Sequence, residues 1–397
     1  MTSEIIKEKK FQTKAFLLMP VMFNVGILLG PVLGGVLQDP MRSFPGAFGP
    51  GSRLGREEGV AWMLRYPYAL PNLVNGFLLL MALVLVVLVL EETHIDRRHL
   101  SDPGLRIGQA IGRAFRCKRS RHKYSPLQIE ENSNLVQDEM QPLPTMKEKK
   151  TPRQRLPLSR ILQPNVLATF LAHGLITGHI GAFQNLWFLF LSTPRFDPAH
   201  PDPPGYKPHP PLFFQGGLGL SPATIGTVIG TIGAMGLLLQ FGIYSWTTSK
   251  LGPLYTYRYA LILFPIAYGL APFLALVPTK SEAPHAADGL WIWVAIGSLL
   301  LVIVAGRTLA LPSSLILINN CAPHPSVLST IHGIAQSVSA GSRTLGPLIF
   351  STLYGEGLKR GVVGMAWWIL MVEAFVACAA SWLVHDGSGN EIELDEE

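Results

Sequence analysis

Eight blocks of apolar residues, each roughly 20 or more residues long, divide this 397-residue chain. An α-helix needs about 20 predominantly apolar residues to cross about 30 Å of hydrocarbon. Only 15% of the residues are charged, whereas about 25% is usual in a soluble domain, so one water-soluble core cannot hold this composition. The sequence therefore predicts an all-α membrane protein with about eight transmembrane helices. The blocks cover residues 15–37, 68–90, 166–191, 223–247, 257–278, 291–316, 330–354 and 363–385.

Residues 91–163, between the second and third blocks, form a hydrophilic stretch with fifteen Lys and Arg residues. Low hydrophobicity with high charge cannot support a packed core, so we expect a largely disordered linker. Positive residues near spans favour the cytoplasmic side and can rest on anionic lipid. The predicted organisation is then a two-span unit (1–90), the linker (91–163), a six-helix bundle (164–385) and an acidic tail (386–397).

The position of this linker sets the orientation of the other loops. With a cytoplasmic linker and eight spans, both termini are predicted to be cytoplasmic. Loop 38–67 is then external although it carries four arginines, because the linker outweighs it. We expect a multi-pass protein of the plasma membrane or the vacuolar membrane, and the sequence alone does not choose between them.

An internal repeat links the first and seventh blocks. Gly26 stands four residues before Gly30-Pro31, and Ser342 stands four residues before Gly346-Pro347. Small residues four apart let two membrane helices approach closely, and a proline inside a span bends it. The repeat predicts glycine-lined contacts that act as rocking hinges, with ordinary packing glycines as the alternative. Duplicated bundles are typical of transporter folds.

The string in the first block carries a more specific resemblance. Gly26-x-x-x-Gly30-Pro31-x-x-Gly34-Gly35 resembles the antiporter signature in the fifth helix of the major facilitator superfamily. Several further segments are similar to its zinc-induced-facilitator-like branch and to fungal drug:proton antiporters. They include Pro67-Tyr68-Ala-Leu-Pro71-Asn72-Leu73, Glu91-Glu92-Thr93-His94 and Gly333-x-Ala335-Gln336-Ser337-x-Ser339-x-x-x-Arg343-x-x-Gly346-Pro347.

This resemblance implies twelve helices in two six-helix halves joined by a cytoplasmic linker. The eight blocks correspond to helices five to twelve of that plan, and the counterparts of the first four helices are missing from this sequence. The expected activity is secondary active transport, in the form of proton-coupled export of small organic molecules or drugs by alternating access. The alternative is a truncated, transport-incompetent remnant of such a transporter.

Polar residues inside the blocks are the candidates for the substrate and proton pathway, because ionisable groups in hydrocarbon are costly. Positions 4, 7 and 11 residues apart share one helical face, and two blocks carry such stripes. A similar line runs along the first helix through Asn24, Pro31, Gly35 and Gln38. The stripes predict either the lining of a water-filled cavity or hydrogen bonds between helices. They comprise His173, Thr177 and Gln184 in the third block and His332, Gln336, Ser339 and Arg343 in the seventh.

Three single residues have open alternatives. His173 can exchange a proton near neutral pH, or it can be a neutral, hydrogen-bonded buried histidine. Arg307, in the sixth block, either faces the cavity or extends toward the interface. Arg343 needs a counter-charge, and the single deep acidic residue, Glu373, lies in a block that is peripheral in the resembled family.

Other kinds of function have little support. The three cysteines have no metal-ligand spacing, so neither a metal site nor a cofactor is predicted. No phosphate-binding Gly-x-x-x-x-Gly-Lys-Ser/Thr string and no HExxH helix occurs, so we predict no enzyme activity. The basic linker lacks interleaved aromatics, so nucleic acid is not an expected partner. The expected partners are the lipid bilayer, a small-molecule substrate and protons; neither the substrate nor the coupling ion can be identified from the sequence.

Overall fold

A computed structural model describes residues 9–38, 40–52, 54, 59–66, 68–91, 101–115, 158–201, 204–324 and 327–387. These residues are mainly helical, and their extended pairing is confined to isolated bridges. The predicted all-α fold is confirmed. The principal helices are α1 (Lys9–Gln38), α2 (Ala69–Val89), α3 (Pro103–Phe115), α4 (Pro164–Ser192), α5 (Pro222–Leu239), α6 (Ser245–Leu261), α7 (Leu263–Leu270), α8 (Leu290–Asn320), α9 (Leu328–Lys359) and α10 (Met365–Ser381).

Five helical runs of the described residues are long and apolar enough to cross a membrane. One of them, Pro222–Leu276, contains both the fourth and the fifth predicted blocks. Gly252 interrupts this run with a φ of 76°, directly before Pro253, and so separates the two blocks. The seventh block lies in α9, which carries more polar residues, and the eighth contains the shorter apolar helix α10. The other runs are Pro20–Gln38, Ala69–Val89, Pro164–Ser192 and Leu290–Asn320.

By their contacts, the described residues fall into two units, one from Met1–Leu73 with Leu156–Glu397 and one from Val74–Arg155. In the first unit α4 packs chiefly on α9 and α10, whereas α1 packs on α5 and α8. Large aromatic side chains fill the core between α4 and α10, where Trp187 and Trp367 meet edge to face. Close-packed, fully buried aromatics of this size make the first unit a defined scaffold for the polar residues.

The second unit contains a helix that the prediction of a largely disordered linker omits. Helix α3 begins after Asp102, whose Oδ1 accepts hydrogen bonds from the backbone N–H groups of Gly104 and Leu105 at 2.8 and 3.2 Å. This is a standard N-cap, and the basic and apolar side chains then fall on opposite faces. Gly108 lies directly against the Leu88 carbonyl near the end of α2. Residues 92–100 and 116–157 of the predicted linker and 388–397 of the predicted tail lie outside the described residues.

Candidate polar site between the helices

A buried chain of three polar side chains joins α1 to the helices on either side of it. The Arg307 guanidinium Nη2, from α8, donates a 2.8 Å hydrogen bond to the Oδ1 of Asn24 in α1. The Asn24 Nδ2 donates in turn, at 2.8 Å, to the Oε1 of Gln240, in the π-helical turn that follows α5. All three residues are buried, with exposed fractions of 3, 0 and 6% for Asn24, Gln240 and Arg307. We call this chain the amide–arginine cluster.

Arg307 has an unusual environment for a permanently charged group. Its guanidinium carbon lies 5.7 Å from the centre of the Phe23 ring, within the range of a cation–π contact. In the part of the chain that the structure describes, no carboxylate forms an ion pair with it. Its positive charge is therefore met by an amide oxygen and an aromatic face. Of the two orientations expected from sequence, the side chain is turned inward onto α1 rather than extended to the interface.

The glycine face of α5 brings α1 into contact with the cluster. A Cβ added at Gly233 would lie 2.5 Å from the Leu28 backbone nitrogen, and one at Gly236 would lie 2.7 Å from the Asn24 side chain. On the same face, the Cβ positions of Gly226 and Gly230 lie at ordinary van der Waals distances of 3.5 and 3.6 Å from α1. Because small residues let the backbones approach, Asn24 reaches both Gln240 and Arg307.

The signature glycines themselves are placed differently from the expectation. A Cβ at Gly26, Gly30, Gly34 or Gly35 would meet no described atom outside its own helix within 4 Å. Pro31 contributes its carbonyl, which lies 3.5 Å from the Cβ position of Gly226. The glycines that let α1 and α5 approach closely therefore belong to α5.

A second buried polar group surrounds His173 in α4. Its Nδ1 lies 2.9 Å from the Oγ of Ser314, in α8, and its exposed fraction is 3%. Thr177 is also buried, and its hydroxyl donates to the His173 carbonyl at 2.8 Å. The His173 Nε2 has no hydrogen-bond partner among the described residues. His173 is thus a buried histidine with one nitrogen engaged and one available.

The remaining candidates are not gathered in one place. In α9, Ser339 is buried, whereas Gln336 and Arg343 are exposed. His332 is partly buried, and its Nε2 lies 3.4 Å from the Oδ1 of Asn319. Gln184, in α4, is exposed as well. Gly346 lies against α4, because a Cβ there would be 2.8 Å from the Gly178 carbonyl oxygen.

Two members of these polar groups were missed by the sequence reasoning. Gln240 stands seven residues after Gly233 and therefore continues the glycine face of α5. Ser314 stands seven residues after Arg307 and shares its face of α8. Extending each stripe beyond its charged or glycine members would have identified both.

The described residues contain no group of three His, Cys, Asp or Glu side chains placed to hold a metal ion. The polar groups can instead supply amide and hydroxyl hydrogen bonds, one fixed positive charge and one titratable imidazole. These are the elements of a binding or ion-coupling surface inside a helical bundle.

The sequence of this chain is similar to those of several known membrane transporters. The chain is 28% identical, over 92% of its length, to the major facilitator superfamily multidrug transporter mfsB of Aspergillus fumigatus. The chain is a homologue of major facilitator transporters. It is also 22% identical over 95% of its length to the major facilitator-type transporter psiT2 of Psilocybe cyanescens. It is 23% identical over 90% of its length to the protein Zinc Induced Facilitator 1 of Arabidopsis thaliana.

These matches confirm the resemblance to this superfamily and the assignment to integral membrane proteins. The chain described here spans 61, 66 and 60% of the length of the three relatives, in the order named above. No family model matches the sequence.

Proposed function

We propose that the chain acts in secondary active transport, as a proton-coupled exporter of small organic molecules that works by alternating access. The named activities of its relatives and the buried polar groups between its helices support this proposal. We place the basic segment 91–163 and both termini on the cytoplasmic side, in the plasma membrane or the vacuolar membrane.

The amide–arginine cluster is the observation that carries the proposal. By the resemblance, α1 corresponds to the fifth helix of one half, whereas α5 and α8 belong to the other half. Asn24 therefore forms hydrogen bonds to both of the other two members across the boundary between the halves. A transporter of this kind must rearrange that boundary during each cycle.

The chemistry of the cluster suits a contact that opens and closes. A hydrogen bond to a charged group contributes about 1.5–3 kcal/mol. Breaking it therefore costs less free energy than separating a buried ion pair. The α5 glycine face offers little side-chain obstruction to rocking of α1 against it. Bends at Pro20 and Pro31, both inside α1, supply the local flexibility.

His173 is our candidate for the proton-carrying group. An imidazole is the side chain whose charge changes most readily near neutral pH. With Nδ1 engaged by Ser314, the free Nε2 is the atom that accepts or releases the proton. Thr177, His332 and Ser339 are proposed to line the same pathway, together with the exposed Gln184, Gln336 and Arg343.

Reconstitution of the complete protein in proteoliposomes tests the proposal. Movement of a panel of small organic molecules is measured with and without an imposed pH gradient, for the wild type and for His173→Asn. We expect gradient-driven movement in the wild type and its loss in the variant. His285→Asn changes an exposed loop histidine and is the matched control.

Movement that is independent of the gradient would exclude proton coupling. Correctly inserted protein that moves no compound of a broad panel would favour the transport-incompetent alternative.

A further inference from the structure

Helix α3 crosses the end of the apolar helix α2 rather than packing along it. A Cβ added at Gly104 would lie 2.5 Å from the Val87 carbonyl oxygen, and one at Gly108, a turn later, would meet the Leu88 carbonyl. The contact therefore advances about 6 Å along α3 while it moves only about 1.5 Å along α2. The two helix axes are steeply inclined to each other, and they cross in the last turn of α2, which ends at Val89.

The glycines that meet α2 lie in the middle of the apolar side of α3. Ile107 and Ile111 lie about 60° around the helix axis from this pair of glycines, because successive residues are about 100° apart. Arg106 and Arg113 lie on the opposite side, about 170° from the glycines. The helix sequence contains these two arginines and no acidic residue. Helix α3 therefore turns its apolar side toward the span and its positive side away from it.

The apolar side of α3 continues the exposed surface of α2. None of the residues of α2 is buried, and Val86 and Val89 are 53 and 65% exposed in its last turn. Ile107 and Ile111 are 55 and 44% exposed beside that turn. Exposed isoleucines next to the end of a membrane span fit hydrocarbon better than water.

We propose that α3 is an anionic-lipid-binding helix that lies in the headgroup layer at the end of α2. Ile107 and Ile111 insert among the acyl chains, and the guanidinium groups of Arg106 and Arg113 bind lipid phosphates. The apolar face of such a helix is buried by about 5–10 Å. The long arginine side chains can extend around the helix to the phosphates, which a guanidinium binds with two parallel hydrogen bonds.

This inference goes beyond transport, because it requires only that α2 spans the bilayer. The choice of the cytoplasmic leaflet rests on the orientation given under the proposed function. Anionic lipids give that leaflet its negative surface potential, which attracts basic segments next to a span.

Spin labels on the complete protein in nanodiscs test the position of α3. Ile107→Cys and Ile111→Cys carry the label on the apolar side, and Gln109→Cys and Ala110→Cys are matched controls that flank the arginines. Collisions with oxygen, which is concentrated in hydrocarbon, are compared with collisions with the water-soluble complex nickel ethylenediaminediacetate. We expect oxygen to dominate at the first two positions and the nickel complex at the other two. The native cysteines are first replaced by Cys117→Ser, Cys321→Ser and Cys378→Ser.

Lipid composition tests the role of the arginines. The label at Ile111→Cys is measured in phosphatidylcholine alone and in phosphatidylcholine mixed with phosphatidylserine. We expect a larger inserted fraction with phosphatidylserine and loss of this gain in the pair Arg106→Gln and Arg113→Gln, since each basic residue near an anionic surface strengthens binding about fivefold. The control pair, Lys207→Gln and Lys280→Gln, removes two exposed charges from loops that we assign to the opposite side, and it should keep the gain.

Free collision of all four labels with the nickel complex would place α3 in water and overturn the proposal. Exclusion of both reagents at Ile107 and Ile111 would show that protein covers this side, and it would overturn the proposal as well. Insertion that does not respond to phosphatidylserine, or a gain that both pairs of variants reduce equally, would refute the binding of anionic lipid. These measurements use neither substrate nor a pH gradient, so a failure of transport leaves their outcome unaffected.

Discussion

The two helices that carry the repeated Gly-Pro string, α1 and α9, make their close contacts in opposite ways. In α1 the glycines meet no described neighbour, and the glycines of its partner α5 supply the close approach. In α9 the glycine of the repeat is itself the contact, because Gly346 lies against the backbone of α4 at Gly178. Close approach needs a small residue on only one of the two surfaces, so a repeated string does not determine which helix provides it.

The two contacts also differ in their polar links. Asn24 of α1 bonds to the buried Arg307, whereas Asn185 of α4 donates to the hydroxyl of Ser351, one turn beyond the Gly-Pro of α9, at a partly buried position. The Asn24 link of α1 therefore includes a buried charge, whereas the Asn185–Ser351 link of α9 joins two neutral groups. Substitutions at the first contact should accordingly have larger effects.

Removal of the Asn24 amide should have the largest effect. Asn24→Leu leaves the buried Arg307 guanidinium without its acceptor, which we expect to lower the free energy of unfolding by about 3 kcal/mol. Detergent-solubilised protein unfolded by heat or by SDS provides the measurement. Asn72→Leu makes the same change at an exposed site of α2 and should alter stability by less than about 0.5 kcal/mol. Equal effects of the two variants would contradict a structural role for the cluster.

A methyl group on the glycine face of α5 should have the next largest effect. Gly233→Ala places a Cβ 2.5 Å from the Leu28 nitrogen, so α1 must shift, at a cost of about 2 kcal/mol. Gly30→Ala, within the signature, meets no described neighbour and should leave stability almost unchanged. The same unfolding assay compares the pair. A larger loss in Gly30→Ala would show that the signature glycines make a close contact of their own.

The corresponding change in α9 should cost less. Gly346→Ala brings a Cβ to 2.8 Å from one carbonyl oxygen, whereas Gly233→Ala meets three close atoms. We expect a loss of about 1 kcal/mol in the free energy of unfolding. Gly341→Ala, in the same helix but with open space around it, serves as its control. If Gly346→Ala proves as costly as Gly233→Ala, the two contacts are equally tight and the distinction fails.

Loss of the neutral amide link should have the smallest effect. Asn185→Ala removes the hydrogen bond to Ser351, and neutral hydrogen bonds contribute about 1 kcal/mol or less. A double-mutant cycle with Ser351→Ala measures the coupling of the two side chains. We expect a coupling energy below that of the corresponding Asn24–Arg307 cycle, in which one partner is charged. The reverse order would place the more important polar link at α9.

Much of the fold could be predicted from the sequence because the local composition of a long apolar segment identifies a membrane helix. Each apolar block is helical over most of its length, and the separation of the fourth and fifth blocks follows from Gly252-Pro253. The high charge of the surrounding segment predicts disorder where helix α3 lies, although Asp102 and the spacing of Ile107 and Ile111 are helix signals. Average composition hides a short amphipathic helix.

The candidate site could be predicted only in part. Asn24, His173, Thr177, Arg307 and Ser339 are buried, as polar residues of a functional face should be, but Gln184, Gln336 and Arg343 are not. Helical periodicity places these residues on common faces and says nothing about which neighbour covers each face. Their assignment to a substrate or proton pathway stays a prediction.

The sequence by itself determined that this chain is helical, membrane-embedded and related to major facilitator transporters, because apolar length and short motifs are local properties. Only the tertiary structure decided that Arg307 meets Asn24 rather than a carboxylate, and that α5 rather than α1 supplies the glycines of their contact. It also brought Glu373 to a cavity between α4, α9 and α10. These pairings join residues as much as 283 positions apart, and such separations are resolved only when the helices pack.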